Sequence, residues 1–358
     1  MKVGYYSPLP PARTGVADYA ATLLAALRKL GDVEVEAHRG ADVNLYQLGN
    51  NQLHRDIYAR ALAQPGVVVL HDAVLQHFFL GSLTEEQYID EFVYNYGEWT
   101  RDQAASLWQG RAASGADVEY FRYPMLRRIA ESARAIIVHN PAAAEIARAH
   151  CSAANIVEIP HLFEPPENPA SMEPGPRPFT FGIFGHLRES KRILPLLRAY
   201  TQVRKQSKNI GLLVAGECVS TDLARAMTPL LDQPGIVRIG YTAEADFWRN
   251  AQAVDACVNL RYPAAGETSG IAIRLMGIGK PVLMTRSMET SRFPETACLR
   301  VDAGEAEQDM LAAFMLWLSR YPEHAMRIGA SAAAHIREFH SVERVAVQYW
   351  ATLLNAAT

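Results

Sequence analysis

The chain has 358 residues, 49% of them hydrophobic, and a formal net charge of −3. That length exceeds one ordinary core and predicts two domains, and the apolar share argues against disorder. The charge gives no reason to expect nucleic acid as a partner, and the four scattered cysteines (Cys151, Cys218, Cys257, Cys298) form neither a disulfide frame nor a zinc spacing. No apolar run reaches the roughly 20 residues that span a bilayer. A strand pattern beginning at Val3 leaves no leader peptide, so a cytoplasmic protein is expected, with a peripheral contact at the inner membrane face left open.

Residues 3–6 read as a strand, 7–15 as a Pro/Gly loop, and 18–30 as a helix with Tyr19, Leu23, Leu24 and Leu27 on one face. A loop at the carboxyl end of a strand, feeding a helix, is where open α/β sheets bind ligands. Prolines there can equally stiffen a plain connection. Residues 42–48 and 67–70 read as further strands, the second ending on His71 and Asp72. Asp72 is expected to cap the helical pattern that follows it (Val74, Leu75, Phe78, Phe79) rather than to orient His71. A helix-rich insert at 85–131 carries Tyr88, Tyr94, Tyr96, Trp99, Trp108, Tyr120 and Tyr123, which read most simply as core packing. Strands at 135–138 and 156–159 complete this half, and His139 and His161 read as structural residues after strands.

The prolines of 163–178 mark a linker. Beyond it, strands at 180–184, 211–215, 237–239, 254–259 and 282–285 alternate with helices, which means a parallel sheet covered on both faces. Residues 306–340 are mostly helical, and 342–354 form a last helix with Ser341 as its cap. The reading is therefore an N-terminal Rossmann-like domain at 1–162, the linker, and a second Rossmann-like domain at 179–340. The helix at 341–358, apolar at Val345, Tyr349, Trp350 and Leu353, is expected to cross back onto the first domain.

Four loops are candidates to carry chemistry. In 261–276, Gly266 and Gly270 permit close backbone approach, Glu267 is the one acid, and Thr268, Ser269 and Gly270 open a helix whose N–H groups can meet an anion. A capped helix behind a turn is the plainer alternative. Gly185-His186-Leu187-Arg188, followed by Lys191 and Arg192, again lies between strand and helix and concentrates cationic donors suited to phosphate; a solvated basic face is the alternative. Gly216-Glu217 and Gly240-Tyr241-Thr242 end neighbouring strands, as turns or as contacts to a nucleotide base. No two aspartates stand two apart, and no Gly-x-x-x-x-Gly-Lys loop occurs. A diphosphate would thus be neutralised by Lys191, the arginines and the helix start, with no metal and no cofactor.

Four motifs together carry a resemblance over nearly the whole chain: Pro8 to Gly15 with Val16-Ala17-Asp18-Tyr19; Leu70-His71-Asp72; Gly185-His186-Leu187 with Lys191; and Gly266-Glu267-Thr268-Ser269-Gly270 with Gly279-Lys280-Pro281-Val282. They resemble glycosyltransferase family 4, retaining nucleotide-sugar transferases of the GT-B fold. That fold is two Rossmann-like domains whose parallel sheets face each other across a cleft. The resemblance implies that Glu267 contacts hydroxyls of the donor sugar and that Ser269, Gly270 and Ile271 donate to its diphosphate. It also implies that Lys191 binds the same phosphates, that Gly15 approaches diphosphate or acceptor, and that His71 lies near the reacting sugar. Two departures stand out. His186 replaces an arginine usual after the loop glycine, with Arg188 close by in sequence. Where the family has a second glutamate for the ribose, counting forward from Glu267 gives Leu275 and counting back from Gly279 gives Arg274. Neither is acidic, and Arg274 is expected on phosphate or paired with an acid. The implied activity is transfer of a sugar, from GDP-mannose first or a UDP-sugar second, to a glycan or lipid-linked acceptor in polysaccharide synthesis. A nucleotide-sugar epimerase and a non-catalytic nucleotide-sugar binding protein are the alternatives.

Overall fold

A computed structural model of the chain describes residues 1–12, 14–37, 40–166 and 177–358. The linker read at 163–178 therefore lies largely outside the described residues. Contacts divide the chain into two units, one of Met1–Leu162, Pro263–Thr268 and Phe339–Thr358, the other of Phe163–Tyr262 and Ser269–Glu338. The short segment around Glu267 thus packs with the first unit.

The first unit holds six parallel strands: β1 (Lys2–Tyr6), β2 (Asp32–Val35), β3 (Val43–Leu48), β4 (Val67–Leu70), β5 (Ala135–Val138) and β6 (Ile156–Glu158), in the order β2-β1-β3-β4-β5-β6. The second holds β7 (Phe179–Phe184), β8 (Ile210–Ala215), β9 (Ile236–Ile239), β10 (Ala256–Asn259), β11 (Val282–Thr285) and β12 (Cys298–Val301), in the order β12-β11-β10-β7-β8-β9. Strands β4, β5, β8, β10 and β11 are buried along their whole length, as a sheet covered on both faces requires. Edge strands β2 and β12 are additions to the sequence reading.

Helices α1 (Gly15–Leu27), α2 (Arg55–Ala63), α3 (Gln76–Ser82), α4 (Glu85–Tyr96), α5 (Arg101–Gln109), α6 (Arg127–Ser132) and α7 (Pro141–His150) belong to the first unit. In the second are α8 (Ile193–Gln206), α9 (Thr221–Leu231), α10 (Glu244–Ala253), α11 (Gly270–Gly277), α12 (Glu307–Arg320) and α13 (Pro322–Phe339, its last residue grouped with the first unit). The last helix, α14 (Val342–Ala357), packs on α1: Val345, Tyr349 and Leu353 are buried, and the Tyr349 hydroxyl lies 2.8 Å from that of Tyr19.

Three local expectations need correcting. Ser341 occupies the position before α14 but its side chain makes no capping bond. Asp72 does not cap α3; its Oδ2 accepts from the Asn50 N–H at 2.8 Å, because α3 starts four residues on, behind Leu75. Trp99 is 85% exposed, whereas Tyr88 and Tyr120 do enter the core. A three-residue 3-10 turn carries Trp99 between α4 and α5, and its neighbour Thr100 takes the inward position.

Candidate active-site loops

In the second unit the strand order reverses between β7 and β10, the switch point at which ligands settle in open α/β sheets. The loops after these two strands are two of those singled out from sequence, and Tyr262 N–H ties them by donating to the Ser190 carbonyl at 2.8 Å. Gly185 has φ +82°, and a Cβ there would meet Ile271 Cδ1 at 2.4 Å and Lys191 Nζ at 3.0 Å. Only glycine lets the chain turn this closely over the head of α11. The loop after β8 joins them. Leu187 N–H donates to the Glu217 carbonyl at 2.8 Å, and a Cβ on Gly216 would stand 2.2 Å from the Gly185 carbonyl oxygen.

Lys191 is buried, its Nζ donating to the Phe184 carbonyl at 2.6 Å, so the ammonium sits beneath the Gly185 turn. Burial, then the charges of Arg188 and Lys191, lower the His186 pKa. Arg188 is exposed. Arg192 instead makes a bidentate pair with the buried Glu307, at 2.7 Å and 2.9 Å to one carboxylate oxygen. Ser269 caps α11, its Oγ accepting from Ala272 N–H at 3.3 Å. In that first turn the N–H groups of Gly270 and Ile271 have no acceptor within the helix. Arg274, one turn later, pairs with Glu244, and its guanidinium lies 4.1 Å from the Phe247 ring centroid and 4.4 Å from that of Trp248. Tyr241, mostly exposed, and the half-buried Thr242 follow β9.

In the first unit, Gly15 is exposed at the start of α1 and His71 stands buried at the end of β4. His71 Nε2 lies 2.7 Å from Gln47 Oε1, which can only accept, so Nε2 carries the proton and Nδ1 keeps its lone pair. Tyr19 and His139 pack around the ring at centroid distances of 4.9 Å and 5.2 Å, and His161 lies 5.5 Å from His139. Burial, reinforced by the neighbouring imidazoles, pushes the His71 pKa well below its ordinary value, and burial brings His139 down to about 4. His71 thus acts as a neutral hydrogen-bonding group. The segment Pro263–Thr268 docks on the ends of β4 and β5: Ala73 N–H donates to the Ala265 carbonyl at 2.8 Å, and Asn140 Nδ2 donates to the Gly266 carbonyl at 2.9 Å and to Thr268 Oγ1 at 3.0 Å. Glu267, half-buried, stands between those last two. Gln47 and Asn140 carry no sequence signal beyond an Asn-Pro that marks the start of α7.

Among the described residues, no group of three or more His, Cys, Asp or Glu is placed to hold a metal ion, and no helix is long and apolar enough to cross a membrane.

Two parallel six-stranded sheets of this order, with the candidate loops at the carboxyl ends of the strands, are the GT-B fold. Solved structures with the same architecture include the sucrose-phosphate synthase of Thermosynechococcus elongatus, at 15% identity and a TM-score of 0.68 over 100% of both chains. HepE of Anabaena, in complex with UDP and glucose, matches at 14% identity and a TM-score of 0.65, over 99% of this chain and 100% of its own. TarM matches at 14% identity and a TM-score of 0.60 over 94% of this chain, which spans only 58% of TarM. No family model matches the sequence, and no curated protein does either.

Proposed function

We propose that the chain is a retaining glycosyltransferase that moves a sugar from a nucleoside-diphosphate donor to a glycan or lipid-linked acceptor, and that it needs no divalent metal. The observation that carries this reading is the convergence, at the β7/β10 switch point, of the Gly185 turn, the Lys191 ammonium beneath it and the head of α11. An ammonium and two outward N–H groups complement a diphosphate, and they act most strongly as charge grows on the leaving phosphate.

In this reading Lys191, Gly270 and Ile271 hold the diphosphate, with His186, Arg188, Thr268 and Ser269 around it. Glu267 accepts hydrogen bonds from the sugar hydroxyls, His71 offers Nδ1 to the same sugar, and Gly15 lets backbone approach the diphosphate or acceptor. As the bond from the anomeric carbon to the phosphate oxygen breaks, its electron pair passes to that oxygen, and Lys191 stabilises the charge. The acceptor oxygen then bonds to the anomeric carbon on the face that the phosphate left, and the acceptor's proton leaves with the nucleoside diphosphate. Gly216, Glu217, Tyr241 and Thr242 face the base. Arg274, engaged by Glu244, Phe247 and Trp248, supports that side of the unit rather than the phosphates.

UDP is the first nucleotide to test and GDP the second, since HepE is bound to UDP; this reverses the order expected from sequence. Calorimetric titration with UDP, GDP and ADP, followed by turnover of the corresponding sugars with and without a chelator, tests the reading. Tight binding of one nucleoside diphosphate together with chelator-resistant turnover supports it. Activity restored only by magnesium or manganese contradicts the metal-free form.

A further inference from the structure

Asn140 does more than its position requires. It caps α7, its Oδ1 accepting from Ala143 N–H at 2.9 Å. For that task Ser, Asp or Thr serve about as well, because a cap uses only an acceptor. The amide of Asn140 is also a double donor, and both protons are spent across 126 and 128 residues of sequence, on the Gly266 carbonyl and on Thr268 Oγ1. The side chain is buried, where unpaired amide donors are costly, and here each donor and the acceptor has a partner. The two atoms it grips flank one residue, Glu267. The rest of the segment is held as closely: Ala265 accepts from Ala73, and Gly266, at φ +68°, would bring a Cβ to 2.6 Å from Ala73 Cβ and 3.3 Å from Ile146 of α7.

We propose that Asn140 is a positioning residue of the transfer reaction: one buried amide grips the chain on both sides of Glu267 and thereby sets where that carboxylate stands. The proposal rests on the glycosyltransferase reading above. It assigns Asn140 no contact with substrate. Its donors fix the backbone before Glu267 and the side chain after it, so the carboxylate meets the sugar already oriented, and a shift of the order of 1 Å there is enough to lower turnover about a hundredfold.

Asn140→Asp and Asn140→Ser both keep an oxygen to cap α7 and remove the two donors, which separates the clamp from the cap. Two readouts decide. Amide hydrogen exchange of peptides covering residues 263–268 is expected to speed at least tenfold in both variants, with exchange along α7 unchanged. In the same variants kcat is expected to fall ten- to a hundredfold, while the dissociation constant of the bare nucleoside diphosphate stays within twofold. The role assigned to Asn140 is overturned by unchanged exchange in 263–268, by a kcat within twofold of wild type, or by a kcat loss matched by an equal loss of nucleotide affinity. A wild-type protein that binds no nucleoside diphosphate and turns over no nucleotide sugar overturns the glycosyltransferase reading instead. The exchange result then still decides whether Asn140 holds the segment.

Discussion

The backbone N–H of Ala73 donates to the carbonyl of Ala265 at 2.8 Å, joining the segment that follows His71 to the segment that carries Glu267. One residue, Asp72, separates His71 from one end of this bond, and one, Gly266, separates Glu267 from the other. Gly266 makes the approach possible, since any Cβ there would collide with Ala73. Gly266→Ala is expected to destabilise the protein by about 2 kcal/mol, from its left-handed backbone and the clash together. It should also cut turnover more than tenfold. Adding Ala73→Gly removes the clash but not the backbone cost, so the double variant should recover part of both losses in thermal unfolding and kinetic assays.

Lys191 and Glu267 should fail in different ways. Lys191→Ala removes the ammonium beneath the Gly185 turn and is expected to weaken nucleoside-diphosphate binding and to lower kcat a hundred- to thousandfold, equivalent to about 3–4 kcal/mol. Glu267→Ala should cut transfer as severely yet leave affinity for the bare nucleoside diphosphate near wild type. Calorimetry and steady-state kinetics on the pair check this.

Arg274 should behave as a structural cation. Its guanidinium is committed to Glu244 and to the rings of Phe247 and Trp248. Arg274→Ala is expected to cost about 1–2 kcal/mol in urea unfolding through lost cation–π contact and packing. Its effect on nucleoside-diphosphate affinity should stay below tenfold, well short of that of Lys191→Ala.

The buried imidazoles make stability depend on pH. His139 and His54 are each held at about 4 by burial, against an ordinary value near 6.5. Between those two values the unfolded chain binds protons that the folded chain does not, so stability falls as the pH drops through that window and is flat above it. For His139 the shift from 6.5 to about 4 is worth about 3 kcal/mol by the bottom of the window. Urea unfolding at pH 7.5 and pH 5 should show the drop, and His139→Gln should lessen it while leaving the share of His54 and His71.

Much of this architecture is legible in the sequence because buried parallel strands are continuous apolar runs: Val67 to Leu70 and Ala135 to Val138 stand out in any window. Strand β2 does not, since only Val33 of its four residues is buried. Strand β12 hides because its buried Arg300 looks like a surface residue until Glu295 and the carbonyls of Thr290 and Phe293 come to meet it. The candidate loops were legible for the same reason, as glycine and charge directly after apolar runs. What their side chains do was not. Asn140 reads as an ordinary cap because its second task depends on Gly266 and Thr268, and the tautomer of His71 is set by Gln47 on another strand.

Sugar transfer with retention can be tested by following a panel of nucleotide sugars by NMR with the protein and a saccharide acceptor. The expected result is release of one nucleoside diphosphate and a glycoside whose anomeric configuration matches that of the donor, both abolished by Glu267→Ala. A product of inverted configuration, a sugar epimerised without any acceptor, or tight nucleotide binding with no turnover above the Glu267→Ala background would each contradict it.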